Sequence, residues 1–420
     1  MGSLTTFTIV LAAVLLFSLI ATVDRRPVAR APPELRPTAA TDLIFVALVV
    51  MPGEEAECAR CLRTIFSNAW APERIQVAVM HYFDPGTRIP GGVGIDAYYS
   101  SVRAQYDRIC LETPGSRNCG DCLRVLERPA HLAKGVSAAH AELLRRVYGG
   151  EPFWCEAFPK LRFVSQWDRL AVEELRRCCA IHGPNSLLTV APADRFSGAT
   201  PSFPVVVRGT GDHGFPQVKP RLFRTKRPGR PFAAPLLAPS FVFAPGKMVA
   251  DVPPDPRLQF CDGADALLRT ARLFTHGWRP FAPSRVLVHR HRINPVDADD
   301  GGQVITKATT KTADSRQRRE KSFAAALSVL GEDACAVCDR PRSQHTSASA
   351  LNHPFEAPLG ALANRSRLLG SAATLTQFKE YCGAWPGKLP TVRARCGVVG
   401  TPAGDERAAK GLEHGDFLLE

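Results

Sequence analysis

The chain has 420 residues, 45% of them hydrophobic, and a formal net charge of +13. This length allows one large α/β domain with appendages, or two domains of ordinary size. The arginines are spread along the chain without the basic and aromatic stripe of nucleic-acid modules, so the composition disfavours nucleic acid and predicts another anionic partner.

The N-terminal residues predict a membrane anchor. Residues 3–23, SLTTFTIVLAAVLLFSLIATV, form an uncharged apolar run of about membrane-spanning length, longer than the usual core of a signal peptide. Residues 24–41 are rich in Pro, Arg and Ala and predict an extended stem. Because Arg25, Arg26, Arg30 and Arg36 follow the span, the positive-inside rule alone would keep the body of the protein in the cytosol.

The body begins with a predicted βαβ unit. The run LIFVALVV from Leu43 predicts a buried parallel strand, AECARCLRTIFSNAW has helical spacing, and IQVAVMHYF is a second strand. A further helix is predicted over HLAKGVSAAHAELLRRVYGG, which ends at a Gly-Gly stop. An apolar strand precedes Trp167 and Asp168, which are therefore predicted at the carboxyl end of a strand, where open α/β sheets bind ligands. These elements predict an α/β fold.

The stretch from Leu258 to Arg292 combines features that folding alone does not require. Asp262 and Asp265 begin a predicted helix, a Thr-His-Gly turn follows it, and a closing strand carries His289 and His291 on one face. The combination is typical of the wall of a substrate pocket. After Val296 the sequence becomes an exposed linker. The predicted domains are an anchor (1–23), a stem (24–41), a folded domain (42–296) and a linker with a C-terminal extension (297–420).

The chain has 13 cysteines, more than is usual for a cytosolic protein. They include three Cys-x-x-Cys pairs: Cys58/Cys61, Cys119/Cys122 and Cys335/Cys338. Together with the apolar N-terminus and the Asn364-Arg365-Ser366 sequon, they favour disulfides in an oxidising compartment. Zinc ligation by two such pairs, and free buried thiols, stay open as alternatives.

The order of several segments resembles the eukaryotic polypeptide α-N-acetylglucosaminyltransferases, which use UDP-GlcNAc to modify hydroxyproline or threonine of acceptor proteins. The resemblance extends over about Leu43 to Arg292. The segments that carry it are IFVALVV, ERIQVAVM, AKGVSAAHAELLRRVYGGEPFW, LRFVSQWD, SFVFAPGKMVADVPPDPRLQF, GADALLRTARLFTHGWRPFAPSRVLVHRHR and, near the C-terminus, LGSAATLTQFKEYCG.

The resemblance implies a GT-A-like nucleotide-sugar domain on an N-terminal transmembrane helix, with a UDP-sugar donor and a protein or glycoprotein acceptor. It also implies a single-pass protein whose body faces the Golgi or ER lumen, opposite to the positive-inside expectation. The residues that fall on family positions around the sugar-nucleotide pocket are Gly135, Trp167, Asp168, His276 and Gly277.

The chain departs from the family where an Asp-x-His motif usually binds a divalent ion. Phe158, Pro159 and Lys160 occupy the positions of this motif, so the usual metal ligands are missing and an altered metal site is expected. Fixed cations can neutralise a leaving diphosphate instead, and Lys160, Arg162 and His289 are the predicted donor-diphosphate residues. The predicted cofactor is accordingly none, with Mn²⁺ or Mg²⁺ held by His289 and Glu156 as the alternative.

Asp265 is the predicted catalytic residue, because a carboxylate at a helix start in a cleft can accept a proton from an acceptor hydroxyl or bind sugar hydroxyls. Structural roles stay open for the predicted site residues: a helix N-cap for Asp262 or Asp265, a loop lysine for Lys160, a salt-bridge partner for Arg162, a satisfied or surface carboxylate for Glu156 and a hydrogen-bonded structural residue that shapes the pocket for His276. At the level of the whole chain, the alternative is a catalytically silent relative that binds a glycoprotein or a partner transferase.

Overall fold

The computed structural model describes residues 42–84, 95–112, 122–192, 202–207, 215, 217–225, 231–290, 313–331, 369–382 and 417–419. The predicted membrane span, the stem and His291 lie outside these residues. None of the helices within the described ranges combines the length and apolar character needed to cross a bilayer.

The predicted βαβ unit opens the fold. Strand β1 (Ile44–Val50) is buried along its whole length, helix α1 (Glu55–Ser67) follows it, and β2 (Ile75–Phe83) pairs with β1 in parallel. A continuous run of apolar residues is the pattern of a parallel strand with both faces covered. Helix α2 (Ile95–Leu111) then leads to β3 (Leu123–Pro129), which extends the sheet in parallel beyond β2.

The next elements carry the chain around the sheet. Helix α3 follows β3, and two short strands, a long helix and a further strand follow α3. In chain order these elements are α3 (Val136–Arg146), β4 (Phe153–Ala157), β5 (Leu161–Phe163), α4 (Trp167–His182) and β6 (Ser186–Thr189). A hairpin of β7 (Ser202–Val207) and β8 (Gln217–Thr225) follows, of which only the backbone is described.

The remaining described elements are β9 (Phe232–Ala233), β10 (Phe241–Pro245), α5 (Lys247–Asp251), α6 (Asp262–Thr275), β11 (Arg279–Ala282), β12 (Val288–Arg290), α7 (Ala313–Leu330), α8 (Leu375–Cys382) and β13 (Phe417–Leu419). The main sheet has eight strands in the order β3-β2-β1-β4-β10-β6-β11-β9. Strands β10 and β9 run antiparallel to their neighbours, so the fold is a mixed α/β fold with a central sheet.

Helices cover both faces of the sheet. Helices α1, α2 and α4 bury one face. Helices α3 and α5, with the last turn of α6, bury the other. The outer side of α6 packs against α7 and α8 in a third apolar cluster, in which Phe274 contacts the rings of Phe378 and Tyr381. Part of the predicted C-terminal extension is therefore in contact with the helix that carries Asp265.

The ends of the strands define two edges of the sheet. Strands β1, β2, β3, β4 and β6 end at one edge, which we call the carboxyl edge, and begin at the other, the amino edge. Helix α6 runs from the carboxyl edge to the amino edge, because it leads into β11, which is parallel to β6. At that end the backbone N–H of Arg279 donates to the carbonyl of Asn185, just before β6.

The cysteines differ from the disulfide prediction where the structure describes them. Cys58 and Cys61 lie one turn apart on α1 and are free thiols in the apolar core, as are Cys155 and Cys178. Burial raises the pKa of Cys61 to about 12, which keeps the thiol protonated. Cys119, Cys335 and Cys338 lie outside the described residues.

Candidate active site

Asp265, the predicted catalytic residue, lies in the first turn of α6, at the carboxyl edge. Its backbone N–H donates to the carbonyl of Cys261 at 2.8 Å, and Cys261 occupies the N-cap position, so Asp265 is not the helix cap. Ser137, in the first turn of α3, donates a hydrogen bond to the Asp265 carboxylate. Burial raises the pKa of Asp265, and Arg269 and Ser137 oppose that rise because both favour the ionised form.

Glu156, the predicted alternative metal ligand, is buried in β4 and bound to protein groups on both oxygens. The Arg269 guanidinium donates to both oxygens at 2.6 Å, and the Trp154 indole N–H donates to Oε1 at 2.7 Å. Burial alone would raise the pKa of Glu156, but the Arg269 charge, assisted by His140 and these hydrogen bonds, lowers it to about 2. A charged residue in an apolar strand requires such a partner.

Helix α3 places two polar side chains against this pair, one turn apart. Ser137 contacts Asp265, and Nδ1 of His140 lies 3.5 Å from Oε2 of Glu156. Both side chains are buried. Burial lowers the pKa of His140, and the nearby Arg269 charge adds to this effect, so the imidazole is neutral near pH 7.

The residues Asp265, Ser137, His140, Glu156 and Arg269 form a polar network. Gly135, a predicted pocket residue, lies beside this network. It precedes α3 with φ of +103°, and a Cβ at this position would lie 2.8 Å from the backbone nitrogen of Phe260. Only glycine fits this approach without strain. Gly135 thus allows the segment before α6 to lie against the start of α3, which brings Asp265 to Ser137.

The predicted diphosphate residues lie just after β4 and on the two-stranded sheet of β5 and β12. Lys160 follows β4 at the carboxyl edge. Arg162 of β5 and His289 of β12 are directly opposite each other in an antiparallel pair, so their side chains lie on the same face. The structure therefore brings Arg162 and His289 together and places Lys160 two residues before Arg162.

Carboxylates at the start of α1 face these cations. Nζ of Lys160 lies 4.0 Å from Oε1 of Glu54, and Arg162 forms an ion pair with Glu57. Glu54 also accepts a hydrogen bond of 3.2 Å from the backbone N–H of Met51. Burial raises the pKa of Glu54, and the Met51 hydrogen bond and the Lys160 charge oppose that rise. A diphosphate at this edge would compete with Glu54 for Lys160.

Trp167 and Asp168 lie at the amino edge, away from the network. The Asp168 carboxylate accepts from the backbone N–H of Trp70 at 2.7 Å, and from Nη2 of Arg74 at 3.1 Å, just before β2. The Trp167 indole donates to the carbonyl of Ile65 at 2.8 Å and is fully buried. The difference from the predicted placement arises because β5 is not a strand of the central sheet: it follows α1 back toward the amino edge, where α4 begins.

His276 and Gly277 lie at the other end of α6 from Asp265, roughly 15 Å along the helix axis at 1.5 Å per residue. Nδ1 of His276 lies 2.7 Å from the carbonyl oxygen of Arg272, so the imidazole closes the last turn of the helix. Gly277 has φ of +84° and turns the chain into β11. The structure does not bring these two predicted pocket residues to Asp265.

The residues at the altered motif do not fit a divalent cation. Phe158 and Pro159 have no side-chain atom that can coordinate a metal, and Lys160 carries a positive charge. Both oxygens of Glu156 already accept hydrogen bonds from protein N–H groups. Within the described ranges there is no group of three His, Cys, Asp or Glu side chains that could hold a metal ion.

Sequence reasoning missed three members of the network: Ser137, His140 and Arg269. The spacing of Asp265 and Arg269, four residues apart on a helix, is a local signal for a charge pair. The single Glu in the apolar run FWCEAF is a second signal, since a buried carboxylate needs a cation. Neither pattern specifies which helix supplies that cation.

Comparison with known proteins gives a family match and distant structural similarities. A family model described as Glycosyltransferase (GlcNAc) matches residues 43–383. No curated protein sequence matches the chain.

Three solved structures to which the chain is similar are glycosyltransferases. GalNAc-T7 with UDP, GalNAc and Mn²⁺ is 13% identical with a TM-score of 0.49, over 80% of this chain but only 56% of that one. S. aureus TarS 1–349 with UDP is 13% identical with a TM-score of 0.35, over 68% of this chain and 72% of that one. The mannosyltransferase PcManGT from Pyrobaculum calidifontis, with GDP-Man and Mn²⁺, is 14% identical with a TM-score of 0.34, over 89% and 93% of the two chains.

Proposed function

Since this chain belongs to the GlcNAc glycosyltransferase family, we propose that it is a GT-A-like enzyme that transfers GlcNAc from UDP-GlcNAc to hydroxyl groups of protein acceptors. Within the family we place it with the polypeptide α-N-acetylglucosaminyltransferases that its segments resemble. The donor, the sugar and the acceptor are parts of this proposal.

The observation that carries the proposal is the position of Asp265 at the carboxyl edge. The carboxylate is held by Ser137 beside the buried Glu156–Arg269 pair, on the helix that begins at this edge. Ligands of open α/β sheets bind at the carboxyl ends of the strands. In the proposed reaction Asp265 contacts the acceptor hydroxyl or the donor sugar and accepts or orients a proton there.

The leaving diphosphate is assigned to side-chain cations in this proposal. Lys160 has a carboxylate at 4.0 Å and a partly exposed side chain, whereas Arg162 is held closely by Glu57. We therefore give Lys160 the main contact with the diphosphate, with Arg162 and His289 beside it. A preorganised ammonium stabilises negative charge that develops on the leaving group. No step of the proposal uses Glu156, because its carboxylate is bound to Arg269.

A catalytically silent relative is the second candidate, and one observation favours it. The cations that would bind the diphosphate are paired with Glu54 and Glu57 of α1, so their charge is already balanced. A protein of this kind would use the same edge to bind a glycoprotein or a partner transferase. It would bind without cleaving a sugar nucleotide.

Release of UDP distinguishes the two candidates. The purified chain is incubated with UDP-GlcNAc in chelator and then with Mn²⁺ or Mg²⁺, with UDP-GalNAc and GDP-mannose as comparison donors. Asp265→Asn is the inactive control. UDP release that the control lacks supports the enzyme, and release without added metal supports the cationic site. No release from any donor in either condition contradicts the enzymatic proposal.

The cellular setting is part of the proposal as well. We propose a single-pass membrane protein, with an anchor over residues 1–23, a stem over 24–41 and the domain of 42–296 in the lumen of the Golgi or ER. The apolar run supports the anchor and the Pro-rich segment after it supports the stem, whereas the lumenal orientation rests on the family resemblance alone. Protease protection in microsomes tests it: a cytosolic body would be digested without detergent, and a lumenal body would not.

A further inference from the structure

The segment between α5 and α6 contains a strained residue close to Asp265. Phe260 has φ of +54°, in the left-handed region that non-glycine residues rarely adopt, and its side chain is buried. Such a conformation persists only where surrounding contacts hold it, and it is enriched near functional sites. Phe260 stands two residues before the start of α6.

Hydrogen bonds hold the backbone at and beside Phe260. The N–H of Phe260 donates to the carbonyl of Lys134, just before Gly135, at 3.2 Å. The N–H of the preceding residue, Gln259, donates to the hydroxyl of Ser322 at 2.8 Å. The Ser322 hydroxyl in turn donates to the carbonyl of Arg318, 2.9 Å away and one turn earlier in α7. Ser322 is buried, with a relative exposure of 3%.

These contacts link helix α7, in the C-terminal extension, to the segment that positions Asp265. The turn at Phe260 sets the direction in which the chain enters α6, where the Asp265 N–H binds the Cys261 carbonyl. On the other side it lies against Gly135, whose missing Cβ leaves room for the Phe260 nitrogen. Ser137, the hydrogen-bond donor to Asp265, follows Gly135 by two residues.

We propose that Ser322 of α7 is a positioning residue for Asp265, because it holds the strained Phe260 turn that sets the start of α6 against the start of α3. This inference rests on the proposed function. Loss of the hydroxyl removes the acceptor of the partly buried Gln259 N–H and lets the turn relax. The Asp265 carboxylate then moves away from Ser137, whereas Lys160 and His289, on other elements, keep their places.

The expected signature is a loss of turnover without loss of donor binding. Ser322→Ala lowers kcat at least tenfold and leaves the KM for UDP-GlcNAc within twofold. The acid limb of kcat/KM also moves to higher pH, because the hydrogen bond from Ser137 favours the ionised form of Asp265. The other charged groups that act on this carboxylate are Arg269 and Arg272 of α6 and Glu156 of β4.

The experiment compares Ser322→Ala with Ser328→Ala, an exposed serine on the same helix, and with Ser322→Thr, which keeps a hydroxyl able to bond the Arg318 carbonyl. Ser322→Cys, a weaker hydrogen-bonding group of similar size, replaces the alanine variant if that variant does not fold. Low kcat, unchanged KM and recovery by threonine support the inference. Kinetics equal to those of Ser328→Ala, or parallel losses of kcat and UDP affinity, overturn it. If the unmodified chain releases no UDP, the proposed function fails and the inference fails with it. If the unmodified chain is active and Ser322→Ala behaves like Ser328→Ala, the inference alone fails.

Discussion

Arg269 on α6 and Glu156 on β4 form a doubly hydrogen-bonded ion pair inside the protein, with both N···O distances 2.6 Å. The pair connects a helix of one layer to the central sheet at the level of the carboxyl edge. The Arg269 charge is shared between Glu156 and Asp265, four residues earlier on the helix. Stability and the charge state of the candidate catalytic residue therefore depend on the same guanidinium.

Replacement of Arg269 by Met is expected to destabilise the protein strongly. The substitution leaves Glu156 buried without its cation, a situation that costs about 3–5 kcal/mol of the free energy of unfolding. Urea unfolding monitored by circular dichroism measures the loss. The matched control is Arg103→Met, since Arg103 pairs with Asp107 at 3.3 Å and both side chains are 39% exposed, a surface contact worth less than about 1 kcal/mol. Equal losses in the two variants would show that the buried pair does not stabilise the fold.

Stability is also expected to fall in acid in two stages. The native pKa of His140 is lowered by burial below its usual value of 6.5, so the unfolded chain binds more protons there, and stability is lost as the pH falls below about 6.5. The pKa of Glu156 is lowered from 4.5 to about 2, so its contribution is complete above 4.5 and is lost as the pH falls toward 2. The pKa of Asp265 is raised from 3.8, so its effect is opposite: its contribution to stability decreases as the pH rises above 3.8.

Urea unfolding of the unmodified chain and of His140→Gln from pH 8 to pH 3 tests this expectation. The variant should lose less stability than the unmodified chain as the pH falls below about 6.5, because it lacks the imidazole that the unfolded chain protonates more readily. If the curves are parallel over the whole range, His140 does not contribute to the acid sensitivity.

Much of the central sheet could be predicted from the sequence, because its first strands are continuous apolar runs. The run IFVALVV became β1, IQVAVMHYF became β2, and the helix between them has buried positions at helical spacing. A buried parallel strand and an amphipathic helix are each specified by their own residues. Asp265 at the start of a helix was predicted in the same way, from local pattern.

Contacts between distant segments could not be predicted in that way. Glu156 and Arg269 are 113 positions apart, and nothing local pairs a strand carboxylate with a particular helix. The three residues of β5 are too few for periodicity to show which sheet they join, so Trp167 and Asp168 were placed at the wrong edge. The family resemblance assigns His276 to the same pocket as Asp265, but the length of α6 separates the two residues.

Asp265→Asn is expected to abolish transfer without unfolding the protein. The amide keeps the shape and can still accept from Ser137, but it cannot accept a proton, so the rate of transfer should fall by about a hundredfold or more. UDP release and acceptor labelling measure the effect, and circular dichroism checks the fold. Asp107→Asn, on the surface of α2, is the control. Transfer at the unmodified rate in Asp265→Asn would remove Asp265 from the mechanism.

Ser137→Ala provides a graded form of the same test. Removal of the hydroxyl takes away a hydrogen bond that lowers the pKa of Asp265, so the carboxyl needs a higher pH to ionise. The acid limb of kcat/KM should move to higher pH, and the rate well above that limb should change less than in Asp265→Asn. A pH profile identical to that of the unmodified chain would contradict the contact between Ser137 and the reacting carboxylate.

Lys160 and Glu54 are expected to affect UDP binding in opposite directions. Lys160→Ala removes the ammonium assigned to the diphosphate and should weaken UDP binding about tenfold, equivalent to about 1.4 kcal/mol. Glu54→Gln keeps an acceptor for the Met51 N–H but removes the charge that competes for Lys160, so UDP should bind more tightly. Calorimetric titration with UDP in chelator measures both, and Lys247→Ala, two-thirds exposed on α5, is the control. Binding to Lys160→Ala that equals the control would exclude this lysine as the diphosphate contact, because a site built on its charge cannot be indifferent to its loss.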